Sequence, residues 1–268
     1  CIIGVYFYRR ATRHAEAYAT ITGKGYMPTP LRLGVWRWPV TIMTGLVFVL
    51  ALGLPLFTLV WQSFYFKTVP NVDLIKDFTL ESYVYILEYP VFLSGLKNSA
   101  MLGAMSATIV VFLGFVMAWI VQRTRMKYAW TLDAIAFIPI AIPSVIIGAS
   151  ILFAYLILPI PVYNTIWILL IAYVTMYLPY GMRFASGGMI QIHKELEEVA
   201  EVSGATLMQT FRRVLMPLMS PVLMAAWLYI FVMGVRELTA SLFLAGPTTQ
   251  VLGTISLTLW EEGGSFGN

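Results

Sequence analysis

The polar residues that could do chemistry are sparse in this sequence, and their types and spacing match no common catalytic set. One cysteine and two histidines are too few for a disulfide framework or a conventional zinc site. Gly23-Lys24-Gly25 lacks the spacing and the hydroxyl residue of a phosphate-binding loop. The sequence therefore predicts no catalytic residues, no metal site and no cofactor held by this chain.

A pattern suited to binding a partner lies between His193 and Pro221. Glutamates open this segment, Gly204 interrupts it, and apolar residues then recur at helical spacing up to Pro217. The glutamates are Glu195, Glu197, Glu198 and Glu201, and the apolar residues are Leu207, Met208, Phe211, Val214 and Leu215. We interpret the segment as two short helices around a glycine in the left-handed conformation. The apolar face of the second helix needs a membrane surface or a partner protein to cover it.

The composition places the rest of the chain in a lipid bilayer. Of the 268 residues, 59% are hydrophobic and 11% are charged, whereas soluble domains carry roughly 25% charged residues. Lipid offers no hydrogen-bond partner to exposed backbone, so each apolar stretch should be a helix of about 20 residues. The sequence predicts an all-α polytopic membrane protein.

The uncharged runs predict five complete transmembrane helices. Three runs hold one span each, 38–66, 98–122 and 214–235. The run 134–182 is too long for one crossing, and Pro159-Ile160-Pro161 divides it into two. Residues 1–8 look like the end of a preceding transmembrane helix, and we expect at least one further span, a sixth, beyond the residues given.

Basic residues cluster on alternate connections between these spans. Thirteen of the 17 Lys and Arg residues fall in 9–37, 123–127 and 183–213. This asymmetry predicts that those three segments are cytoplasmic, and it explains the net charge of +4 without a nucleic-acid partner. We expect 9–37 to be a cytoplasmic linker and 38–268 to be the transmembrane domain, with the patterned loop at 193–217.

Two further features concern the membrane-facing parts. Residues 79–88 have the apolar spacing of an amphipathic helix, which either lies along the outer membrane surface or packs on neighbouring spans. Pro139 and Pro143 interrupt the third span, where each removes a backbone hydrogen bond. The resulting kink is either an ordinary feature of a membrane helix or part of a transport pathway.

The patterned loop resembles the cytoplasmic signature of the inner-membrane components of binding-protein-dependent ATP-binding-cassette (ABC) importers. That signature is Glu-Ala-Ala, three residues, Gly, nine residues, then Ile-x-Leu-Pro. This chain has Glu198-Val199-Ala200, then Gly204, then Val214-Leu215-Met216-Pro217 at the same spacing, and Ser203 stands where an Asp often precedes the glycine. The resemblance implies the type I ABC importer permease architecture, in the bacterial inner membrane.

The resemblance also implies partners and roles. Glu198, Ala200, Gly204, Leu207, Met208, Phe211 and Pro217 would form the coupling loop that docks on a cytoplasmic ATPase dimer, and that dimer would bind the ATP and Mg. An extracytoplasmic solute-binding protein would deliver the cargo. Gly23-Lys24-Gly25-Tyr26 and Leu259-Trp260-Glu261-Glu262-Gly263 resemble the second half of fused ferric-iron-type permeases, which implies iron import and a fused second permease half. Permeases for polyamines, thiamine, sulfate and phosphonates share much of this architecture.

Arg236 and Glu237 are an adjacent ionisable pair within an apolar segment. They follow Pro217 by about 19 and 20 residues, roughly 30 Å along a helix, which places them near the outer interface. Either Arg236 reaches the lipid head groups while Glu237 caps a neighbouring span, or one of them lies at an outer gate of the pathway. A self-contained secondary transporter or channel is the alternative function, but it would need coupling carboxylates at mid-membrane.

Overall fold

The structure, a computed structural model, describes residues 33–65, 78–124, 126–158 and 164–263. Its helices, labelled in chain order, are α1 (Gly34–Ser63), α2 (Glu81–Glu88), α3 (Phe92–Arg123), α4 (Ala129–Ala141), α5 (Ser144–Ile157), α6 (Ile166–Gln191), α7 (Glu195–Val202), α8 (Leu207–Val235), α9 (Ser241–Leu244) and α10 (Leu252–Gly263). The described residues contain no β-strand. The all-α prediction is therefore confirmed for this part of the chain.

Four of these helices are long and apolar enough to cross a membrane, namely α1, α3, α6 and α8. Helices α4 and α5 together could form a fifth crossing, but they meet at an angle of 104°. The number of spans predicted from the sequence is therefore reached only if this bent pair counts as one crossing. The proposed division of the run 134–182 at Pro159–Pro161 lies outside the described residues.

The bend between α4 and α5 is a consequence of its two prolines. Pro139 lies in the final 3₁₀ turn of α4, and Pro143 precedes the first residue of α5. Ile142, the residue before Pro143, is extended, with ψ at 125°, because the proline ring disfavours the helical conformation there. The predicted kink is in fact a complete break in the helix.

The chain forms two compact units, and the larger is built on Ser94–Ile255. Helix α6 supplies more of its core than any other helix, including the fully buried Tyr173, Leu169 and Met182. Helices α3 and α8 pack against α6 in two apolar clusters, around Tyr173 and around Phe115. This core positions the end of α6 and the start of α8, and the loop at 193–217 follows α6 and includes the start of α8.

A close helix crossing in the larger unit depends on two glycines. A Cβ added to Gly181 on α6 would lie 2.7 Å from the Val110 carbonyl oxygen of α3. A Cβ added to Gly114 on α3 would lie 2.5 Å from the Gly181 carbonyl carbon. Small residues allow membrane helices to approach this closely, and the approach stabilises them through van der Waals contact.

The smaller unit comprises α1, α2 and the adjoining residues up to Leu93, together with residues from Ser256 onward. Aromatic rings join the end of α1 to α2, with Phe64 stacked on Phe78 at 4.4 Å between ring centroids. The Tyr83 hydroxyl lies 2.6 Å from the Ser63 hydroxyl oxygen. Helix α2 confirms the predicted amphipathic helix.

Candidate functional site

Helix α7 ends in a hydrogen-bonding motif that requires a glycine. The Ala205 N–H donates to the Ala200 carbonyl at 3.0 Å, and the Gly204 N–H donates to the Glu201 carbonyl at 2.9 Å. This pair of bonds is the Schellman motif, whose residue after the C-cap takes the left-handed conformation. Gly204 has φ at +82°, which confirms the left-handed glycine predicted from the sequence.

A new helix begins at Leu207, three residues after this glycine. The Gln209 N–H donates to the Thr206 hydroxyl at 3.3 Å, and the Thr206 N–H donates to Gln209 Oε1 at 2.8 Å. This reciprocal arrangement is a capping box, and it satisfies two backbone donors at the start of α8. The sequence signal, Thr206-Leu207-Met208-Gln209, was visible but was not used in the prediction.

The second helix of the loop is not a separate short helix, as the sequence analysis expected. It continues without a break into the transmembrane helix, so that α8 runs from Leu207 to Val235. Residues Phe211–Leu215 form a π-helical stretch in which the Met216 N–H donates to the Phe211 carbonyl. The wider turn accommodates Pro217, whose ring would otherwise meet the carbonyl four residues earlier.

Phe211 does not share the exposed face predicted for it with Leu207 and Met208. Its ring lies 4.9 Å from the Phe115 ring and 6.1 Å from the Trp119 ring, both on α3. The backbone from Leu207 to Phe211 is regular helix, since the Phe211 N–H donates to the Leu207 carbonyl, and contact with α3 leaves the Phe211 side chain partly buried. The prediction that Phe211 faces outward is therefore wrong.

The exposed loop surface, by which we mean Val199, Val202, Leu207 and Met208, is apolar. The exposed fractions are 91% for Val202, 69% for Met208 and 63% for both Val199 and Leu207. Sequence reasoning identified Leu207 and Met208 but missed the two valines, although their i, i+3 spacing on α7 places them on one helix face. The surface thus spans both sides of Gly204.

The other residues of the signature differ in exposure. Glu198 and Pro217 are exposed, and Ala200 is half-buried. Exposed Glu198 lies beside Val199 on an acidic helix whose first turn also carries Glu195 and Glu197. The loop therefore offers an apolar patch bordered by negative charge, which is a chemistry suited to a protein groove with basic rims.

The candidate gate residues lie at the opposite end of α8. Arg236 is exposed, whereas Glu237 is half-buried. Glu237 Oε1 accepts from the Ala240 N–H at 3.0 Å, and the Tyr177 hydroxyl lies 2.8 Å from Glu237 Oε2. The carboxylate thus joins the turn after α8 to α6. Nothing in these contacts tests a gate role for the pair, or a pathway role for Pro139 and Pro143.

We predict that Glu237 stabilises the fold of this turn and that Arg236 does not. Glu237→Ala leaves the N–H of the fully buried Ala240 without its acceptor, at a cost of about 1–3 kcal/mol. Thermal unfolding of the purified protein should show a lower midpoint for Glu237→Ala and an unchanged midpoint for Arg236→Ala. Equal midpoints for the two variants would contradict this role.

Glu237→Gln separates this structural role from a gate role. The amide oxygen can still accept from Ala240, so the variant should assemble normally although its charge is gone. Uptake should then match that of the unaltered protein. Reduced uptake by normally assembled Glu237→Gln would assign the charge to the pathway, and Arg236→Gln makes the same comparison for Arg236.

Among the described residues, no group of three or more His, Cys, Asp and Glu side chains could hold a metal ion.

Comparison with known proteins identifies relatives that match about four fifths of this chain. The Fe(3+)-transport system permease protein FbpB 2 of Haemophilus influenzae is 26% identical over 81% of this chain, which spans 39% of that protein. The putative 2-aminoethylphosphonate transport system permease protein PhnV of Salmonella typhimurium is 27% identical over 81% of this chain and 82% of its own length. The chain therefore spans well under half of the ferric relatives but most of the phosphonate relative.

A solved structure supports the same architecture. A bacterial ABC transporter involved in the import of the acidic polysaccharide alginate covers 86% of this chain and 86% of the matched chain, with a TM-score of 0.65 and 18% sequence identity. At that identity the likeness shows the fold alone, which is that of a type I ABC importer permease.

A family of inner-membrane proteins matches more than half of the chain. The match covers residues 110–262, from the middle of α3 to α10, and so includes the exposed loop surface and both glycine features described above. The chain belongs to the binding-protein-dependent transport system inner membrane component family.

Proposed function

We propose that this chain lines the translocation pathway of an ABC importer and docks, through the exposed loop surface, on a separate cytoplasmic ATPase. The observation that carries this proposal is that four apolar side chains remain exposed on a loop whose backbone is fixed by a Schellman motif and a capping box. An ordered apolar patch outside the lipid is typical of a protein interface. The backbone of the loop is therefore already ordered before a partner protein binds.

We assign ATP binding to the separate ATPase and movement of the membrane helices to this chain. Since the chain has no phosphate-binding loop, the ATPase dimer binds the ATP and Mg, and this chain converts ATPase closure into movement of its helices. Closure draws the docked loops together and shifts the membrane helices to the outward-facing state. A solute-binding protein then releases its cargo into the pathway, and hydrolysis resets the inward-facing state.

Ferric iron is the cargo we propose. Support comes from the ferric permeases among the relatives, and from the second-half sequence features noted above. Since the chain spans less than 40% of those proteins, we also propose that it works as one half of a fused double permease. Relatives named for 2-aminoethylphosphonate and for spermidine and putrescine define the competing cargoes. Uptake assays with radiolabelled ferric iron, phosphonate and polyamine, each with the cognate binding protein, distinguish them.

The docking proposal predicts that a single charge introduced into the interface by mutation will release the ATPase. Met208→Asp places a carboxylate in the centre of the exposed loop surface, and burying an unpaired charge at an interface costs several kcal/mol. We expect an affinity-tagged permease to copurify with the ATPase, and Met208→Asp to lose it while still inserting and purifying normally.

A matched control is Met126→Asp. Met126 is 61% exposed, precedes α4 and lies on the same predicted cytoplasmic side, but it is outside the exposed loop surface. This variant should keep the ATPase. If both variants keep the ATPase, or both lose it, the exposed loop surface is not the docking site.

A further inference from the structure

The last residue of α3, Arg123, lies where three helix ends meet. Its side chain is only 9% exposed, which is low for an arginine at a helix end. One guanidinium nitrogen, Nη2, donates to the Ile192 carbonyl at 2.7 Å and to the Met189 carbonyl at 3.2 Å. Another, Nε, lies 2.6 Å from Glu197 Oε1. Arg123 therefore connects α3 to the end of α6 and to α7.

Each of these contacts has a physical reason. Both carbonyls lie at the C-terminal end of α6, where the negative end of the helix dipole attracts a cation, and the Met189 carbonyl also accepts from the Ile192 N–H at 3.3 Å. A guanidinium satisfies such carbonyls while keeping donors for a carboxylate in the same plane. Gln122 adds a parallel bond, since its Nε2 donates to the Ser186 carbonyl at 3.1 Å.

Glu197 differs from its neighbours in where its carboxylate lies. Its side chain is 18% exposed, whereas Glu195, Glu198 and Glu201 are exposed to solvent. Adjacent residues of a helix point about 100° apart, so Glu197 faces the bundle while Glu198 stays available to a partner. Of these two adjacent glutamates, Glu197 thus contacts the bundle and Glu198 is exposed where a partner protein can reach it.

Helix α3 also holds the other side of the loop. Phe211, beyond Gly204, packs on Phe115 and Trp119 of α3. The loop is therefore attached to α3 on both sides of its left-handed glycine, by an ion pair on α7 and by aromatic contacts on α8. When the exposed loop surface moves, these two attachments would move α3 with it.

We propose that Arg123 and Glu197 form a positioning pair that transmits movement of the docking loop to α3 and α6. The inference rests on the proposed docking function, because it assigns a route for the force that the ATPase applies. Without the pair, the loop still docks through its exposed apolar side chains, but α7 moves without carrying α3 with it. The pair therefore acts on coupling and not on ATPase binding.

The test compares Glu197→Gln with Glu201→Gln in the complete importer reconstituted in liposomes. Both variants remove one carboxylate from α7, but only Glu197 contacts Arg123. We expect Glu197→Gln to copurify with the ATPase and to hydrolyse ATP, while cargo moved per ATP falls at least roughly tenfold, because the variant removes one charge of a largely buried ion pair. Glu201→Gln should keep the unaltered ratio.

A covalent replacement of the pair provides a second, independent variant. In a Cys1→Ser background, Arg123→Cys with Glu197→Cys can be joined by a reducible methanethiosulfonate cross-linker. Cross-linking should raise cargo moved per ATP above that of the unlinked double variant, and reduction should reverse the gain.

An unchanged ratio in assembled Glu197→Gln, or no gain on cross-linking, would overturn the inference. Failure of the proposed docking function gives a different result, because the unaltered permease itself would then bind no ATPase. If Glu197→Gln does not assemble, the change in cargo moved per ATP on cross-linking the double cysteine variant tests the inference instead.

Discussion

Replacing Gly181 by leucine should abolish recovery of assembled permease from membranes, whereas the same change at Gly187 should leave recovery unaltered. A side chain at Gly181 would begin 2.7 Å from the Val110 carbonyl oxygen, so α3 and α6 would have to separate. Overpacking costs about 1–3 kcal/mol where side chains can adjust, and here the obstacle is backbone. Because α6 contributes more buried residues to the core than any other helix, we expect the whole larger unit to be lost.

Gly187 is the matched control on the same helix. A Cβ at Gly187 would meet no atom within 4 Å, so a leucine there adds only exposed apolar surface at the membrane. The measurement is size-exclusion chromatography of detergent-solubilised protein, with thermal unfolding of any monodisperse peak. A stable, monodisperse Gly181→Leu protein would contradict the close helix crossing.

Gly204→Val should retain assembly and ATP hydrolysis but lose most cargo uptake. A β-branched residue at φ of +82° is strained by roughly 1–2 kcal/mol or more, and the Schellman motif would open to relieve that strain. A Cβ at this position would meet no atom within 4 Å, so the effect comes from the backbone and not from a clash. The loop would then still dock, but its two halves would no longer be held in the geometry that passes movement of the ATPase to the membrane helices.

A graded series isolates this backbone effect. Asparagine tolerates the left-handed conformation better than alanine, and alanine better than valine. Uptake should therefore decline in the order Asn, Ala, Val at position 204, at similar amounts of assembled complex. Equal uptake by Gly204→Asn and Gly204→Val would refute the role of the left-handed backbone.

The helices that the lipid environment requires could be predicted from the sequence. Apolar runs had to be helices because lipid cannot satisfy an exposed backbone, and α1, α3, α6 and α8 are the result. Gly204 could also be predicted, because one residue type dominates the left-handed position after a helix. In both cases a local property of the chain decides the structure.

Features set by contacts between distant segments could not be predicted. Periodicity placed Phe211 with Leu207 and Met208, but it could not show that α3 packs on Phe211 and leaves this side chain partly buried. The position of Phe115 on α3, nearly 100 residues earlier, then provides the partner. No local pattern indicates such a pairing.

The same limit applies to charges. From the sequence, Arg123 is predicted only to be a cytoplasmic basic residue, and Glu197 only to be one of several acidic residues on a helix. Their contact depends on how α3, α6 and α7 end next to one another. Burial separates Glu197 from Glu198, and burial follows from tertiary packing, which spacing alone does not specify.

Cysteine cross-linking to the ATPase tests the docking account most directly. Single cysteines are introduced by Leu207→Cys, Met208→Cys, Phe211→Cys and Met126→Cys in a Cys1→Ser background, within the assembled importer. The account predicts that positions 207 and 208 cross-link to the ATPase, while 211, which faces α3, and 126 do not. Positions 207 and 208 that label freely in the assembled complex and never cross-link would contradict the account.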